Sequence, residues 1–224
     1  MLEVLFEDEA LIAYAKPSGL LIAPDRWDKG KANLCELVHA QHPDWFNAHR
    51  LDRDTSGLVV FAKNAEVLRR LCRLFETRQV EKDYLAIVEG VPDWQERRID
   101  APLLPDRRHL MRVDPRGKKA SSSAWVLRRY QAHALLRLRP HTGRSHQLRA
   151  HCRELGFPIL SDPLYGREGI VEGRKRPGEA SPLIARTALH AQRLAFVHPV
   201  HGQALCIEAP LPEDWLRAQA QLEG

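Results

Sequence analysis

His49-Arg50-Leu51-Asp52-Arg53-Asp54-Thr55-Ser56-Gly57-Leu58 is the stretch that decides the fold of this chain. Two carboxylates, two arginines and a histidine fall in its first six positions, and the apolar run Leu58-Val59-Val60-Phe61 follows at once. That run is short, β-branched and bounded by Gly57 and Lys63-Asn64, the pattern of a buried strand. The charged cluster therefore occupies a loop at the entrance to a sheet, where a rigid scaffold commonly holds catalytic groups. By itself such a loop is equally well a set of solvated ion pairs.

Working outward, Asn64 is placed to cap a helix over 65–78, with Leu68, Leu71 and Phe75 as its buried stripe and Arg69, Arg70, Arg73 and Arg78 outward. Lys82 to Val88 alternates as a strand should. Upstream, 4–6 and 11–15 are expected as strands, Lys16-Pro17-Ser18-Gly19 as a turn and 20–24 as extended chain. Residues 25–33 are polar loop, and Leu34, Leu37 and Val38 mark a short helix. Downstream, 92–119 holds Pro92, Pro102, Pro105 and Pro115 without a clear period and is expected to form hairpins and loops. Residues 124–130 and 134–139 form an antiparallel pair. Pro140-His141-Thr142-Gly143 turns the chain into a helix from about 145 to 155, ended by Gly156. Residues 166–182, rich in Gly, Pro and charge, are expected to be a mobile excursion. Strands at 189–197 and 204–207 close the sheet, and Pro212-Glu213-Asp214 opens a last short helix. The fold class is α+β: a mixed, largely antiparallel central sheet with flanking helices, as one domain over residues 1–224.

Hydrophobic residues make up 44% of the chain and charged ones 28%, the balance of a soluble globular protein. No apolar run approaches the roughly 20 residues needed to cross a bilayer, and the acidic start (Glu3, Glu7, Asp8, Glu9) is no signal peptide. Cys35, Cys72, Cys152 and Cys206 form no CxxC pair and suit reduced thiols in the cytoplasm. The net charge of +5 conceals an asymmetry. Between 106 and 149 stand twelve Lys and Arg against Asp106 and Asp114, so this block carries +10 and the remainder −5. A one-sided basic block points to a polyanionic partner, nucleic acid first.

Asp52 and Asp54 are the obvious candidate acids. A glycosidase pair would come from separate segments, and the kinase-like H-R-x-D string lacks a Gly-rich loop and a DFG. His141, His146 and His151 recur every five residues, which is neither a helical face nor a metal spacing, so no metal is expected. Thr142-Gly143-Arg144-Ser145-His146-Gln147-Leu148-Arg149 places Arg144 and Arg149 around a helix start, where the dipole already favours an anion. Two arginines there, beside Asp52, would keep a carboxylate ionised and oriented.

His49 to Gly57 closely resembles the HRLDxxTSG signature of the RluA-type pseudouridine synthases. Lys16-Pro17-Ser18-Gly19 is similar to the family's KPSG turn, and Lys82-Asp83-Tyr84-Leu85-Ala86 to its K-x-Y-L-A strand. Thr142 to Arg149 is similar to its TGRxHQ[IL]R motif. Leu189-His190-Ala191 and Ala209-Pro210-Leu211-Pro212 resemble its C-terminal end. Ala15 stands where Asn is usual and Ser161 where Gly is common. The chain begins close to the catalytic motifs, so the small S4-like RNA-binding domain of many relatives is not expected.

The resemblance implies isomerisation of uridine to pseudouridine in rRNA or tRNA, without cofactor or metal and without a required protein partner, by a monomer. It assigns the essential carboxylate to Asp52 and not Asp54, the base-stacking aromatic to Tyr84 and the cation paired with the carboxylate to Arg149. Arg50 is the residue that enters the RNA stack where the target base has left it. Arg144, His146, Leu148, Lys118 and Lys119 complete the expected RNA contacts. Two alternatives remain: an inactive RNA-binding protein of the same fold, which gives no reason for Asp52 and Arg149, and a nucleoside or glycan hydrolase, which would release free base or sugar.

Overall fold

The computed structural model describes residues 2–25, 28, 30–108, 110–166 and 183–224. The expected excursion therefore lies, from 167 to 182, outside the described residues. In order the chain forms β1 (Glu3–Glu7), β2 (Leu11–Lys16), α1 (Leu34–His39), β3 (Phe46–Asn47), β4 (Ser56–Ala62) and α2 (Ala65–Glu76). Then come β5 (Glu81–Glu89), β6 (Glu96–Asp100), β7 (Leu103–Pro105), β8 (Met111–Val113), β9 (Ser121–Arg129) and β10 (His133–Pro140). Last are α3 (Gln147–Glu154), β11 (Leu189–Val197), β12 (Ala204–Glu208) and α4 (Glu213–Glu223). The fold is α+β with a mixed, mostly antiparallel sheet. It divides into two compact units, 1–83 with 190–210, and 84–189 with 211–224. Two of the three crossings, after Asp83 and after Leu189, fall inside β5 and β11, so no linker composition marks them.

The first unit is built on β4, all seven residues of which are buried. Leu58, Val60 and Ala62 pack with Val67 and Leu71 of α2 and with Leu11 and Ala13 of β2. Phe61 meets Tyr14 edge-to-face with ring centroids 5.9 Å apart. Each large side chain so buried contributes about 1.5–3 kcal/mol. β4 pairs antiparallel with β2 and β3 and parallel with β11. β1 adds to β2 and β12 to β11, both antiparallel. Asn64 caps α2 as expected, its Oδ1 accepting from Val67 N at 2.9 Å. In α1 Leu37 is exposed and Cys35 takes its place in the core beside Leu34 and Val38. Residues 20–24 form no strand; Leu21 alone makes an isolated bridge, to Asn33.

In the second unit the order β5-β10-β9-β6 is antiparallel throughout. Ala86, Val88, Leu136, Leu138, Ala124 and Val126 share its core with Leu148 and Cys152 of α3 and Trp215 of α4. The stretch 92–119 is more regular than expected, with β6 at the sheet edge and β7–β8 as a separate hairpin. β6 (ERRID) buries only Ile99, so an edge strand gave no alternation to read. α3 starts two residues later than expected because His146 adopts a left-handed conformation, φ 49°.

Candidate active site

In the first unit the loop before β4 is clasped from three sides. Lys16, 1% exposed, donates from Nζ to the carbonyls of Pro17 (2.9 Å), Leu20 (2.7 Å) and Arg53 (2.9 Å). Gly19 N donates to Arg53 O at 2.9 Å and Ser18 Oγ to Asp54 O at 2.7 Å. On the far side Ser56 Oγ bonds His190 Nδ1 at 2.9 Å. Gly57, at φ +114°, lies so close to β11 that a Cβ there would be 2.2 Å from Ala191 O. Three separated motifs, KPSG, TSG and LHA, are therefore one clamp on the turn that closes with Thr55 N donating to Asp52 O at 3.2 Å. His49 bolts the loop's upstream end, its Nε2 accepting from Val60 N at 3.1 Å, and its ring stacks on Phe75. Burial, then the nearby Lys82 charge, lowers its pKa to about 3, so this ring is neutral.

Asp52 and Asp54 are both half-buried. Asp54 pairs with its neighbour Arg53 at 3.3 Å, a surface ion pair of little energetic weight. Arg50 is exposed with no ion pair among the described residues.

In the second unit Tyr84, half-buried, stands on β5 opposite Leu138 of β10 and packs at the edge of the core. Arg149 is 2% exposed and meets Asp162 in a forked pair, Nε to Oδ2 at 2.7 Å and Nη2 to Oδ1 at 2.8 Å. Asp162 Oδ1 also accepts from Leu164 N (2.9 Å) and Tyr165 N (3.0 Å), and the guanidinium lies 5.2 Å from the Tyr165 ring centroid. This aspartate was not foreseen as a partner. The signal was present: from 115 to 167 only Glu154 and Asp162 are acidic, and a buried arginine demands a carboxylate. Ser161 holds φ +56°, a backbone conformation that favours glycine, and its Oγ donates to Ile184 O at 2.6 Å.

The remaining predicted contacts are spread about α3. Gln147 is a hub: its Oε1 accepts from Thr142 Oγ1 (2.6 Å) and Arg144 N (3.0 Å), and its Nε2 donates to Ser121 O and Ser122 Oγ, both at 2.9 Å. Arg144 Nε donates to Lys119 O at 3.1 Å. His146 Nδ1 lies 3.1 Å from Tyr165 Oη. Leu148 is buried in the core, and Lys118 and Lys119 are exposed. His151 is structural: Nε2 donates to Ala101 O and Nδ1 accepts from Ser122 Oγ, and burial lowers its pKa.

One potential ligand set, invisible to spacing, is assembled among the described residues: Asp8, His198 and His201, with ligand atoms within 4.8 Å of one another. His198 Nδ1 accepts from Val200 N (3.2 Å) and His201 N (3.1 Å), so its proton sits on Nε2. That Nε2 lies 3.0 Å from Asp8 Oδ2, though poorly aligned for a hydrogen bond. A protonated nitrogen is no metal ligand, and the cluster works as a turn brace.

The chain belongs to the RNA pseudouridylate synthase family, whose model matches residues 10–154, in its RluA-type branch. It is 39% identical over 95% of its length to the ribosomal large subunit pseudouridine synthase D of Nitrosomonas europaea. Against the dual-specificity RNA pseudouridine synthase RluA of Vibrio vulnificus it is 37% identical over 88% of its length and 78% of that protein. The chain spans 63% of the Nitrosomonas protein and 70% of its Pseudomonas aeruginosa counterpart. Among solved structures, human RNA Pseudouridylate Synthase Domain Containing 4 superposes with a TM-score of 0.78 and 26% identity, over 98% of this chain and 92% of that one.

Proposed function

We propose that this chain isomerises uridine to pseudouridine in RNA, in large-subunit ribosomal RNA first, with 1–224 serving as its catalytic domain. The observation that carries the proposal is the clamp of Lys16, Ser56, Gly57 and His190 on the Asp52 turn. A turn gripped by so many buried contacts holds the side chain of its first residue, Asp52, in a fixed place, as a catalytic group requires. The names of the large-subunit relatives support the substrate class.

In the reaction the N1–C1′ bond breaks, the uracil turns, C5 bonds to C1′, the C5 proton leaves and N1 takes up a proton. Atoms and electrons balance within the nucleotide, so no cofactor is required. Asp52 supplies the carboxylate, acting on ribose or base. Arg149 supplies positive charge that keeps a carboxylate ionised in a dry site. Tyr84 stacks on the uracil and is placed for proton transfer at C5. Arg50 fills the gap left by the extruded base. Arg144, His146, Lys118 and Lys119 hold the surrounding RNA, the lysines through phosphates, while Leu148 anchors α3 from within the core. Free cysteines throughout the described residues, and the lack among them of a helix long and apolar enough to cross a membrane, support action in the cytoplasm. We assign this activity to a monomer.

The test is tritium release from 5-tritiated uridine in a ribosomal transcript. Release with pseudouridine as sole product supports the proposal; free uracil, or no release while RNA is bound, refutes it.

A further inference from the structure

The hairpin β7–β8 and the turn after it carry the densest part of the basic block: Arg107, Arg108, Arg112, Arg116, Lys118 and Lys119. Its two acids do different work. Asp106 braces the hairpin tip, its Oδ1 accepting from Arg108 N (2.7 Å) and Leu110 N (2.9 Å). Asp114 is 8% exposed and collects two guanidinium groups. Its Oδ1 accepts from Arg116 N (2.9 Å) and Nε (3.0 Å), and its Oδ2 from Arg116 Nη2 (2.9 Å) and Arg112 Nη2 (3.1 Å). The Arg116 bonds above all hold this carboxyl well below the usual carboxylate range.

The backbone around Asp114 is fixed as well. Asp114-Pro115-Arg116-Gly117 is a tight turn closed by Gly117 N to Asp114 O at 2.8 Å, with Asp, Pro and Gly at the positions a type I turn favours. Gly117 abuts Leu103, where a Cβ would fall 2.5 Å from the Leu103 carbonyl carbon. Leu103 and Lys118 exchange both backbone hydrogen bonds at 2.9 Å. The loop end of the hairpin is tied to Tyr165, whose Oη accepts from Met111 N at 2.8 Å.

Both arginines remain largely in water, with side chains 56% (Arg112) and 76% (Arg116) exposed. As a stability device the arrangement is poor, since exposed ion pairs return little for immobilising two long side chains. As a recognition device it is good. Asp114 holds one edge of the Arg116 guanidinium and one Nη2 donor of Arg112, and the largely exposed remainder of each keeps the planar donor set that suits phosphate. Holding both beforehand removes an ordering cost that binding would otherwise carry.

We propose that Asp114 is a positioning residue that holds Arg112 and Arg116 as a ready-made cradle for two neighbouring backbone phosphates of substrate RNA; this rests on the RNA-modifying function above.

The test turns on a sign. Asp114→Asn removes a negative charge from a basic surface, so bulk electrostatics alone predicts tighter RNA binding. The cradle predicts weaker binding, by about 3- to 10-fold, as one or two arginines lose their fixed geometry. Affinity is measured by fluorescence anisotropy on a labelled RNA stem-loop at one fixed salt concentration, with thermal unfolding as the check on folding. A second variant leaves Asp114 in place: Arg112→Lys with Arg116→Lys keeps the charge and loses the forks, and is expected to weaken binding by a similar factor. Adding Asp114→Asn to that pair should then change little. Binding that is unchanged or tighter in Asp114→Asn, or a double-lysine variant that binds like wild type, overturns the cradle. A wild type that neither binds nor converts RNA overturns the functional proposal, and this inference with it.

Discussion

Replacing Lys16 with methionine tests whether the Asp52 loop is held by a buried ammonium. The side chain is 1% exposed, and its Nζ donates to three carbonyls within 2.7–2.9 Å, one of them Arg53 in the loop itself. Methionine matches the volume and removes every donor, leaving buried oxygens unsatisfied at about 1–3 kcal/mol each. Partial rescue by water reduces the sum to about 2–5 kcal/mol. We expect that loss in urea unfolding monitored by circular dichroism. Turnover should fall further than stability explains, about 100-fold in kcat under folded conditions, because a shift of about 1 Å in a catalytic group has that effect. Uridine conversion is measured at low temperature, where the variant remains folded. A variant within about 1 kcal/mol of wild type, with unchanged kcat, refutes the clasp.

Gly57→Ala should destabilise by more than about 3 kcal/mol, since its Cβ meets Ala191 O at 2.2 Å and alanine resists φ +114°; thermal unfolding measures it. His49 titrates at about 3 when folded and near 6.5 when unfolded, so its contribution is complete above pH 6.5 and is lost as pH falls towards 3. His49→Gln, which keeps an acceptor for Val60 N, should flatten the acid limb of stability against pH, a limb of up to about 1.4 kcal/mol per pH unit from this group. Asp162→Asn leaves Arg149 short of its buried counter-charge and should cost about 3–5 kcal/mol in chemical denaturation.

The elements with strong local signals were legible. Asn64 before an amphipathic run read as a cap because its side chain competes for exposed backbone N–H groups, and it caps α2. β4 read as a buried strand because apolar residues on both faces leave no other place for it. β6 escaped because an edge strand burying only Ile99 carries no period. The start of α3 was misplaced because a left-handed His146 leaves no signature of composition. At the site, the residue types were visible in the motifs but their work was not. Lys16 looked like part of a turn, although its ammonium reaches a loop 37 residues on. Asp162 gains its meaning from a partner 13 residues away, and spacing alone does not show that contact.

The central claim is that one carboxylate of the loop does the chemistry. Asp54 spends its charge on Arg53 at the surface, whereas Asp52 sits at the turn that Lys16, Gly57 and His190 secure. Tritium release from 5-tritiated uridine transcripts, measured for Asp52→Asn and Asp54→Asn beside wild type, compares them directly. The account predicts no detectable turnover for Asp52→Asn with folding and RNA affinity retained, and turnover close to wild type for Asp54→Asn. Comparable rates for wild type and Asp52→Asn would contradict it.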